Sequence, residues 1–481
     1  MNNSAYIYKK LSFNTNSLLA LLKESRIGFL LESSLGAYNL GRYSFFGIDQ
    51  FLILQFKNGV ITQTQGNSRE NFSGNIFKHL KSLLACYKLE GMVKNNRFPF
   101  LGGAVGLFSY DLGFYLENIF RKNKDDLKTP DLWFAFFDVV LCIDNYRNEI
   151  MVFSTGFPEK NSALRRKRAD LRLRELLNKL NEIKDNPAFE YSSDFSLNKY
   201  SLESNFSYQD YICAVRKSLD YIAKVDIYQI NLSQMFHTKT DLSDEKLYIN
   251  LKNNFPVPFG GFLKTEDFSI ISASPERFLC YDGNFVVTRP MKGTRKRTGN
   301  INLDMRLRKD LANSAKDKAE LLMIVDLERN DLGKVCDYGS IEVEALRTIE
   351  EYSTVFQTTS QVKGRLYPEM DRVDIIKACF PGGSITGCPK IRAMQIIEEL
   401  EPNHRGIYTG SLGYFGFNGT MDFNILIRSF FKQAKDVYFG VGGGIVYDSK
   451  PKLEYEETLI KAEALKRALK GHKDEALCMA R

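Results

Sequence analysis

The chain has 481 residues, 44% of them apolar, so it can bury a substantial hydrophobic core. No stretch is long and apolar enough to span a bilayer, and the first ten residues lack the apolar run of a secretory signal. Eight cysteines are scattered without a C-x-x-C pair, and there are only four histidines. We therefore expect a cytoplasmic globular protein with no membrane partner, and we do not expect a zinc or haem enzyme.

A formal net charge of +8 is compatible with binding nucleic acid or with attracting a small dianionic substrate. The most basic segment, residues 159–185, is predicted to be helical and carries four consecutive cations at 165–168. This run lacks the interleaved aromatic residues that stack on bases, so we interpret it as a solvated helix face. We expect no nucleic acid partner.

Short strands and turns dominate the first third of the sequence and predict a mostly antiparallel sheet. The predicted strands are Gly28–Ser33, Gly41–Gly47 and Phe51–Phe56. Apolar residues at helical spacing predict a helix over Ile76–Tyr87, and the aromatic run Pro130–Ile143 is typical of buried strand.

A polar segment rich in Ser and Asn, residues 186–207, indicates a linker. It divides the chain into an N-terminal region, 1–185, and a larger unit, 208–470. Most of the candidate chemistry lies in the larger unit.

Two predicted helices of the larger unit carry paired acidic residues. Asp317 and Glu320 are three residues apart and share one helix face, as do Glu454 and Glu457 with Lys461. Either helix alone is typical of solvated surface charge. If the two meet, their oxygens suit a hard cation such as Mg²⁺.

Glycine-rich segments at Pro381–Gly387 and Val441–Ile445 predict turns whose N–H groups can surround an anion, although neither matches a dinucleotide or P-loop motif. Between them, Asp422–Arg428 is predicted as a strand whose terminal Arg428 can hold a carboxylate. Ordinary tight turns and a surface arginine are the alternatives.

Glu276 and Lys292 lie at the ends of two neighbouring strand-like runs. If both face one pocket, Glu276 can act as a general acid and Lys292 as a nucleophile. An exposed basic loop is the alternative.

Several segments resemble, in order and spacing, the chorismate-utilising enzymes. That family includes anthranilate synthase component I, aminodeoxychorismate synthase component I, and the isochorismate and salicylate synthases. The resemblance spans about residues 205–466, and more loosely includes Leu30–Ser33 and Gly41–Ser44. Its segments are Asp226–Gln234, Ser274–Glu276, Lys316–Gly333, Phe380–Lys390, His404–Gly410 and Gly442–Lys461.

The resemblance implies an α+β fold in which two large antiparallel β-sheets pack face to face with helices outside. It also implies a Mg²⁺ site formed by Glu320 and Glu457, with Glu454 and Asp317 nearby, and Glu276 as the acid that protonates the departing 4-hydroxyl of chorismate. The positions implied to contact chorismate are Gln229, Ser384, Thr386, Tyr408, Arg428, Gly442, Gly443, Gly444 and Lys461. Glu32 and Ser33 match a tryptophan-binding position.

Lys292 decides the expected subfamily. Aminodeoxychorismate synthases carry lysine at this position, whereas anthranilate synthases typically carry a small residue. Gln229 replaces the water-activating lysine of isochorismate and salicylate synthases, which argues against those activities. The resemblance implies that the Lys292 amine adds at C2 of chorismate while the C4 hydroxyl leaves, and that ammonia then adds at C4 and expels the lysine.

Two alternatives stay open: an anthranilate synthase, and a catalytically silent homologue that binds chorismate or tryptophan. The sequence shows no glutaminase nucleophile, so ammonia is expected from a separate glutamine amidotransferase subunit or from solution. Two departures from the family pattern are Gln357, where some members carry an active-site histidine, and the loop Arg295–Arg297, where Arg-Pro-Arg is commoner.

Overall fold

The computed structural model describes residues 6–11, 17–35, 40–89, 97–184, 201–352 and 355–470. Its strands, in chain order, are β1 (Ile7–Leu11), β2 (Gly28–Glu32), β3 (Tyr43–Ile48), β4 (Leu52–Lys57), β5 (Val60–Gln65), β6 (Ser68–Ser73), β7 (Gly103–Phe108), β8 (Leu132–Phe137), β9 (Val139–Asp144), β10 (Glu149–Ser154), β11 (Glu203–Ser204), β12 (Gln229–Lys239), β13 (Phe259–Lys264), β14 (Ser269–Ser274), β15 (Arg277–Tyr281), β16 (Phe285–Arg289), β17 (Met291–Lys296), β18 (Glu342–Glu351), β19 (Val355–Arg365), β20 (Gly387–Cys388), β21 (Ser411–Gly416), β22 (Met421–Asn424), β23 (Ser429–Gln433) and β24 (Asp436–Ile445). The helices are α1 (Leu18–Glu24), α2 (Ile76–Cys86), α3 (Leu112–Leu116), α4 (Ser162–Lys184), α5 (Tyr208–Ala223), α6 (Asp244–Asn254), α7 (Ile301–Asn313), α8 (Ala315–Gly333), α9 (Arg372–Cys379), α10 (Lys390–Leu400) and α11 (Pro451–Lys470).

The strands form two antiparallel sheets of 12 strands each. The first sheet has the order β1-β10-β9-β3-β2-β13-β14-β23-β24-β12-β11, with β20 beside β12. The second has the order β17-β19-β16-β15-β22-β21-β7-β8-β4-β5-β6, with β18 beside β19. This architecture confirms the predicted α+β fold with two large antiparallel sheets.

The inner faces of the two sheets pack through aromatic side chains. Phe45 of the first sheet meets Tyr414 of the second with ring centroids 5.3 Å apart, and Phe29 meets Phe137 at 4.8 Å. β8 and β9 are buried along their whole length, as the aromatic run Pro130–Ile143 predicted. Aromatic pairs at these separations add to the free energy of burying their area, so they fix one sheet against the other.

A second apolar cluster covers the outer face of the first sheet. Leucines of α1 and α4 pack there against Phe46, Leu141 and Val152. Helices α6 and α11 contribute to the same cluster, so helices lie outside the sheets, as predicted. In the basic segment of α4, Arg166 and Lys167 are exposed.

The chain passes between the sheets at two adjacent crossovers. One joins β14 to β15 through residues 275–276, and the other joins β22 to β23 through residues 425–428. Ser274 Oγ donates to the Ile425 carbonyl at 2.6 Å, and the Ile425 N–H donates to the Glu276 carbonyl at 3.1 Å. The crossovers therefore satisfy each other's buried main-chain groups.

Two predictions of local structure were wrong. The predicted strand Asp422–Arg428 ends at Asn424, because the chain leaves the second sheet there to reach the first. The run Gly442–Gly444 is not a turn but part of β24, where it pairs with residues 231–233 of β12. A Cβ atom on Gly442 would lie 2.7 Å from the Leu232 carbonyl oxygen of β12, so this position favours glycine.

The predicted linker, 186–207, lies largely outside the described residues, so its boundaries stay a prediction. Strands from both sides of it share each sheet, since β2 pairs with β13 and β7 pairs with β21. Across the described ranges, no helix is long and apolar enough to cross a membrane.

This mixed topology predicts that neither part folds alone. Fragments 1–185 and 208–470, expressed separately, should lack a cooperative unfolding transition, because each leaves strands of both sheets unpaired. Trp133 is the protein's single tryptophan and is 1% exposed, so its emission reports the outcome. We expect a water-exposed emission in fragment 1–185 and a buried one after co-expression. A cooperatively folded fragment with buried Trp133 would contradict the expectation.

Candidate active site

Glu276 lies in the first crossover, and its side chain is buried. Ser384 Oγ donates to Glu276 Oε1 at 2.7 Å. Burial raises the pKa of Glu276 to about 7, although the Ser384 hydrogen bond and the charge of Lys292 oppose the rise. A carboxyl group in these surroundings keeps a proton near neutral pH and can act as a general acid.

Lys292 is the second residue of β17 and points toward Glu276 and Ser384. Its Nζ donates to the Ser384 carbonyl at 3.1 Å, and Thr358 Oγ1 donates to its main-chain carbonyl. Burial lowers the pKa of Lys292, while the charges of Glu320 and Glu276 act to raise it. An amine with a lowered pKa carries a larger neutral fraction, which is the form that attacks an electrophile.

The two predicted acidic helices are confirmed as α8 and α11, and α11 packs against the glycine strand β24. A Cβ atom on Gly443 would lie 3.5 Å from Glu454 Oε2 and 3.6 Å from Glu457 Oε1. Glu320, on α8, lies within the electrostatic reach of Lys292 and Glu457. Because Gly443 has no side chain, the space beside the Glu454 and Glu457 carboxylates stays open.

Cations and hydroxyl groups balance this acidic surface. Lys461 Nζ lies 2.8 Å from Glu457 Oε1 and also donates to the Gly442 carbonyl at 2.7 Å. Burial alone would raise the pKa of Glu457, but Lys461 and the lysines beyond it bring it below its usual value. Burial raises the pKa of Glu454, which accepts a hydrogen bond from Ser449 Oγ at 2.6 Å.

A magnesium ion at these carboxylates would need further ligands from water or a bound molecule. Within the described ranges, no three acidic, histidine or cysteine side chains converge closely enough to hold an ion unaided. Mg²⁺ commonly takes one or two carboxylates and fills its other positions with water and substrate oxygens. Glu320 and Glu457, which both act on Lys292, suit that mode. Asp317 pairs instead with Arg295, Nη2 to Oδ2, at 3.0 Å.

A buried amide group without partners lies near the Lys292 amine. Both side-chain amide atoms of Gln229 lack a hydrogen bond to any residue that the structure describes, although Gln229 is fully buried. A Cβ atom on Gly444 would lie 3.1 Å from Gln229 Nε2 and 3.6 Å from Lys292 Nζ. Gln357 Oε1 and Asn231 Nδ2 are unpartnered in the same sense. Because unpaired buried polar atoms are costly, these amides are suited to contact a polar ligand.

Tyr408, Arg428 and Thr386 have different surroundings. The Tyr408 ring packs on Gly440, where a Cβ atom would lie 2.2 Å from Tyr408 Cγ, and burial raises its pKa. Arg428 adopts φ of 51° in the second crossover, and burial lowers its pKa. Among the described residues no carboxylate forms an ion pair with Arg428, so its guanidinium is available to an anion. Thr386 Oγ1 donates to the Gly382 carbonyl at 2.8 Å.

A buried ion pair that sequence reasoning missed fixes three of these segments. Arg405 Nη2 lies 2.7 Å from Glu401 Oε1, and its two terminal nitrogens donate to the carbonyls of Ile385 at 2.9 Å and Asn231 at 2.5 Å. Glu401 in turn accepts from the Ser233 N–H at 2.8 Å. The pair therefore joins β12 to the turn that carries Ser384. Its only signal in the sequence was the i, i+4 spacing of Glu401 and Arg405.

Glu32 and Ser33 line a separate cavity of about 380 Å³ between the sheets. Glu32 accepts hydrogen bonds from Tyr248 and Lys252, each at 2.6 Å. Ser33 Oγ donates to the Pro258 carbonyl at 2.5 Å. Their role in binding tryptophan stays a prediction.

Comparison with known proteins adds independent information. Residues 49–467 match the model of the chorismate binding enzyme family. Aminodeoxychorismate synthase component 1 of Bacillus subtilis (strain 168) is 37% identical over 97% of each chain. Anthranilate synthase component 1 of Aquifex aeolicus (strain VF5) is 36% identical over 96% of this chain and 94% of the relative.

The fold comparison agrees. The crystal structure of anthranilate synthase component I from Streptococcus pneumoniae TIGR4 superimposes with a TM-score of 0.78 at 31% identity, covering 88% of this chain and 92% of that one. The family model covers most of the sequence, and both relatives match along nearly their whole length. The chain therefore belongs to the family of chorismate binding enzymes.

Proposed function

We propose that this enzyme converts chorismate and ammonia to 4-amino-4-deoxychorismate, for p-aminobenzoate and folate synthesis in the cytoplasm. The observation that carries the proposal is the buried Lys292 amine, placed beside Glu276 through the shared contact with Ser384. The Bacillus subtilis relative supports it. The Aquifex aeolicus relative, of nearly equal identity, makes anthranilate synthesis the alternative.

The assigned roles follow from the charges of the site. Arg428 and Lys461 receive the carboxylates of chorismate, and Tyr408 and the glycine strand bound the ring and its enolpyruvyl arm. Gln229, whose amide has no partner among the described residues, contacts a substrate oxygen. Glu320 and Glu457, with Glu454 nearby, would hold a Mg²⁺ ion, and that ion would neutralise the charge of a substrate carboxylate.

Covalent catalysis divides one difficult displacement into two easier ones. The neutral Lys292 amine forms a bond to C2 while the bond from C4 to its hydroxyl breaks, and Glu276 gives a proton to the leaving oxygen. Ammonia then forms a bond at C4 and the lysine leaves C2. The ammonia comes from a separate glutamine amidotransferase subunit, which a concentrated ammonium salt replaces in an assay.

One departure from the family pattern favours a product that keeps its enolpyruvyl arm. Formation of an aromatic amine requires loss of a ring proton together with release of pyruvate. Gln357 is 8% exposed, pairs across the sheet with Thr294, and carries an amide that accepts no proton near neutral pH. At this position the chain therefore lacks a base for the aromatising step.

The first functional test changes the proposed nucleophile. Lys292→Ala should lower the rate of amination of chorismate by several orders of magnitude, because the covalent route is lost. Combined with Glu276→Gln, the loss should be far from additive, since the two groups act together. Product is identified by mass at high ammonium concentration.

Lys296→Ala, on the exposed side of the same strand, is the matched control and should change the rate less than about threefold. An unchanged rate in Lys292→Ala would refute the nucleophile. Anthranilate as the wild-type product would refute the proposed reaction.

The second test uses pH. Because Glu276 must be protonated and its pKa is about 7, kcat should fall as pH rises above about 7. This fall in kcat at high pH should be absent from the residual activity of the Glu276→Gln variant. Lys292 must be neutral, so a separate limb should appear on the acid side. A basic limb retained in Glu276→Gln would assign the ionisation to another group.

The third test concerns the metal. Glu320→Gln and Glu457→Gln should each lower kcat/KM about a hundredfold or more, because a hard cation loses an oxygen ligand. Wild-type activity should vanish in excess chelator and return with Mg²⁺. Asp326→Asn on α8 and Glu463→Gln on α11, both exposed, are the controls. Full turnover in chelator would refute the metal requirement.

A further inference from the structure

Polar side chains on β12 lie opposite glycines on β24. The pairing register places Asn231 directly opposite Gly444 and Ser233 opposite Gly442. Side chains of directly paired residues lie on the same face of a sheet. A Cβ atom on Gly444 would lie 3.6 Å from Lys292 Nζ. The Asn231 side chain therefore lies on the face of the sheet toward which the Lys292 amine points.

Tyr408 packs on the same face of β24. A Cβ atom on Gly440 would lie 2.2 Å from Tyr408 Cγ, and Gly440 shares a face with Gly444 because side chains alternate along a strand. Burial raises the pKa of Tyr408, and the Asn231 amide is among the groups close enough to act against the rise. Asn231 therefore adjoins both Tyr408 and the strand position beside the Lys292 amine.

The main chain of Asn231 is fixed, whereas its side-chain donor has no partner among the described residues. Its N–H donates to the Thr386 carbonyl at 2.8 Å, and its carbonyl accepts from Arg405 Nη2 at 2.5 Å. Asn231 is 7% exposed, and the unpartnered atom is Nδ2. An unpaired buried donor is costly, so an acceptor atom supplied by a ligand is favoured at this position.

The neighbouring amide of Gln229 differs from that of Asn231. Gln229 lies two residues earlier on the same face of β12, and both of its amide atoms lack partners within the described ranges. It therefore suits a group that both donates and accepts. At Asn231 the unpartnered buried atom is the donor, which suits a group that only accepts, such as a carboxylate.

We propose that Asn231 Nδ2 donates a hydrogen bond to the carboxylate of the enolpyruvyl arm of chorismate. The inference rests on the proposed roles of Lys292 and Tyr408. With the Lys292 amine at C2 and Tyr408 along the arm, the arm leaves the ring at C3 and extends past Asn231. A carboxylate accepts hydrogen bonds and donates none, as the lone N–H donor requires. Asn231 thereby selects substrates that carry the arm over ring carboxylates that lack it.

The experiment measures the affinity of two ligands by calorimetry. One is chorismate, and the other is the dihydroxycyclohexadiene carboxylate that has a hydroxyl group at C3 in place of the arm. Both are titrated into the full chain with Mg²⁺ and without ammonia. Every sample also carries Lys292→Ala, so that no bond to the enzyme forms during the titration.

Asn231→Ala should weaken chorismate binding about tenfold or more, because a buried hydrogen bond to a charged group is lost. The affinity of the ligand without the arm should change less than about threefold. The thermal unfolding midpoint should stay close to that of the parent chain, since Nδ2 has no partner among the described residues. Asn231→Asp keeps the shape of the side chain and places a second carboxylate beside the arm, so it should lose at least as much affinity for chorismate.

The matched control is Asn253→Ala, an exposed position on α6, which should leave both affinities unchanged. Equal losses for the two ligands in Asn231→Ala would mean that the amide serves Tyr408 or the ring, and that result overturns the inference. An unchanged affinity for chorismate overturns it as well. If wild type makes a product other than 4-amino-4-deoxychorismate, the proposed reaction fails, but the comparison of the two ligands still tests Asn231 because no product forms in it.

Discussion

The adjacent crossovers at 275–276 and 425–428 constrain the whole molecule. At each of them the chain leaves one large sheet and enters the other, so main-chain groups lie buried away from any strand ladder. The two crossovers resolve this jointly, since Ser274 bonds to Ile425, Ile425 bonds to Glu276, and the Ala273 N–H donates to the Arg428 carbonyl at 3.1 Å. Side chains at the crossovers are freed from the alternation of a strand. Glu276 and Arg428, two ionisable side chains of the candidate site, both occupy such positions.

The position of the candidate site between the sheets also explains the shifted pKa values of its ionisable groups. Between the sheets a charge loses its hydration, so each ionisable group takes the state that its neighbours permit. Burial raises the pKa of Glu276 to about 7, whereas Lys461 brings the pKa of the half-exposed Glu457 below its usual value. Two carboxyl groups of the same type thereby differ in how readily they hold a proton. Burial lowers the pKa of Lys292, and the charges of Glu320 and Glu276 act against that shift.

The sequence correctly predicted the helices and strands that are indicated by patterns among neighbouring residues. The acidic pairs on α8 and α11 follow helical spacing, and the aromatic run ending at Ile143 is buried strand, as periodicity and composition indicated. Sequence reasoning failed where contacts between residues distant in the sequence determine the local structure. Nothing in Asp422–Arg428 shows that Ile425 leaves the sheet. Gly442–Gly444 was predicted as a turn because the close approach of the Leu232 carbonyl to Gly442 is not visible in the sequence. The roles of Gln229 and Lys461 came from the family resemblance and not from pattern.

Charged residues in buried ion pairs are the hardest to predict, because their spacing in the sequence is the same as that of exposed ion pairs on a helix surface. Arg405 and Glu401 resemble a common surface i, i+4 pair, yet both are nearly inaccessible and connect β12 to the Ser384 turn. α8 shows the same effect along one helix. Glu320 is partly accessible, whereas Glu328 and Asp331, two and three turns further along the helix, are buried. The exposure of an acidic side chain on α8 therefore depends on where the helix enters the fold, which helical spacing in the sequence does not show.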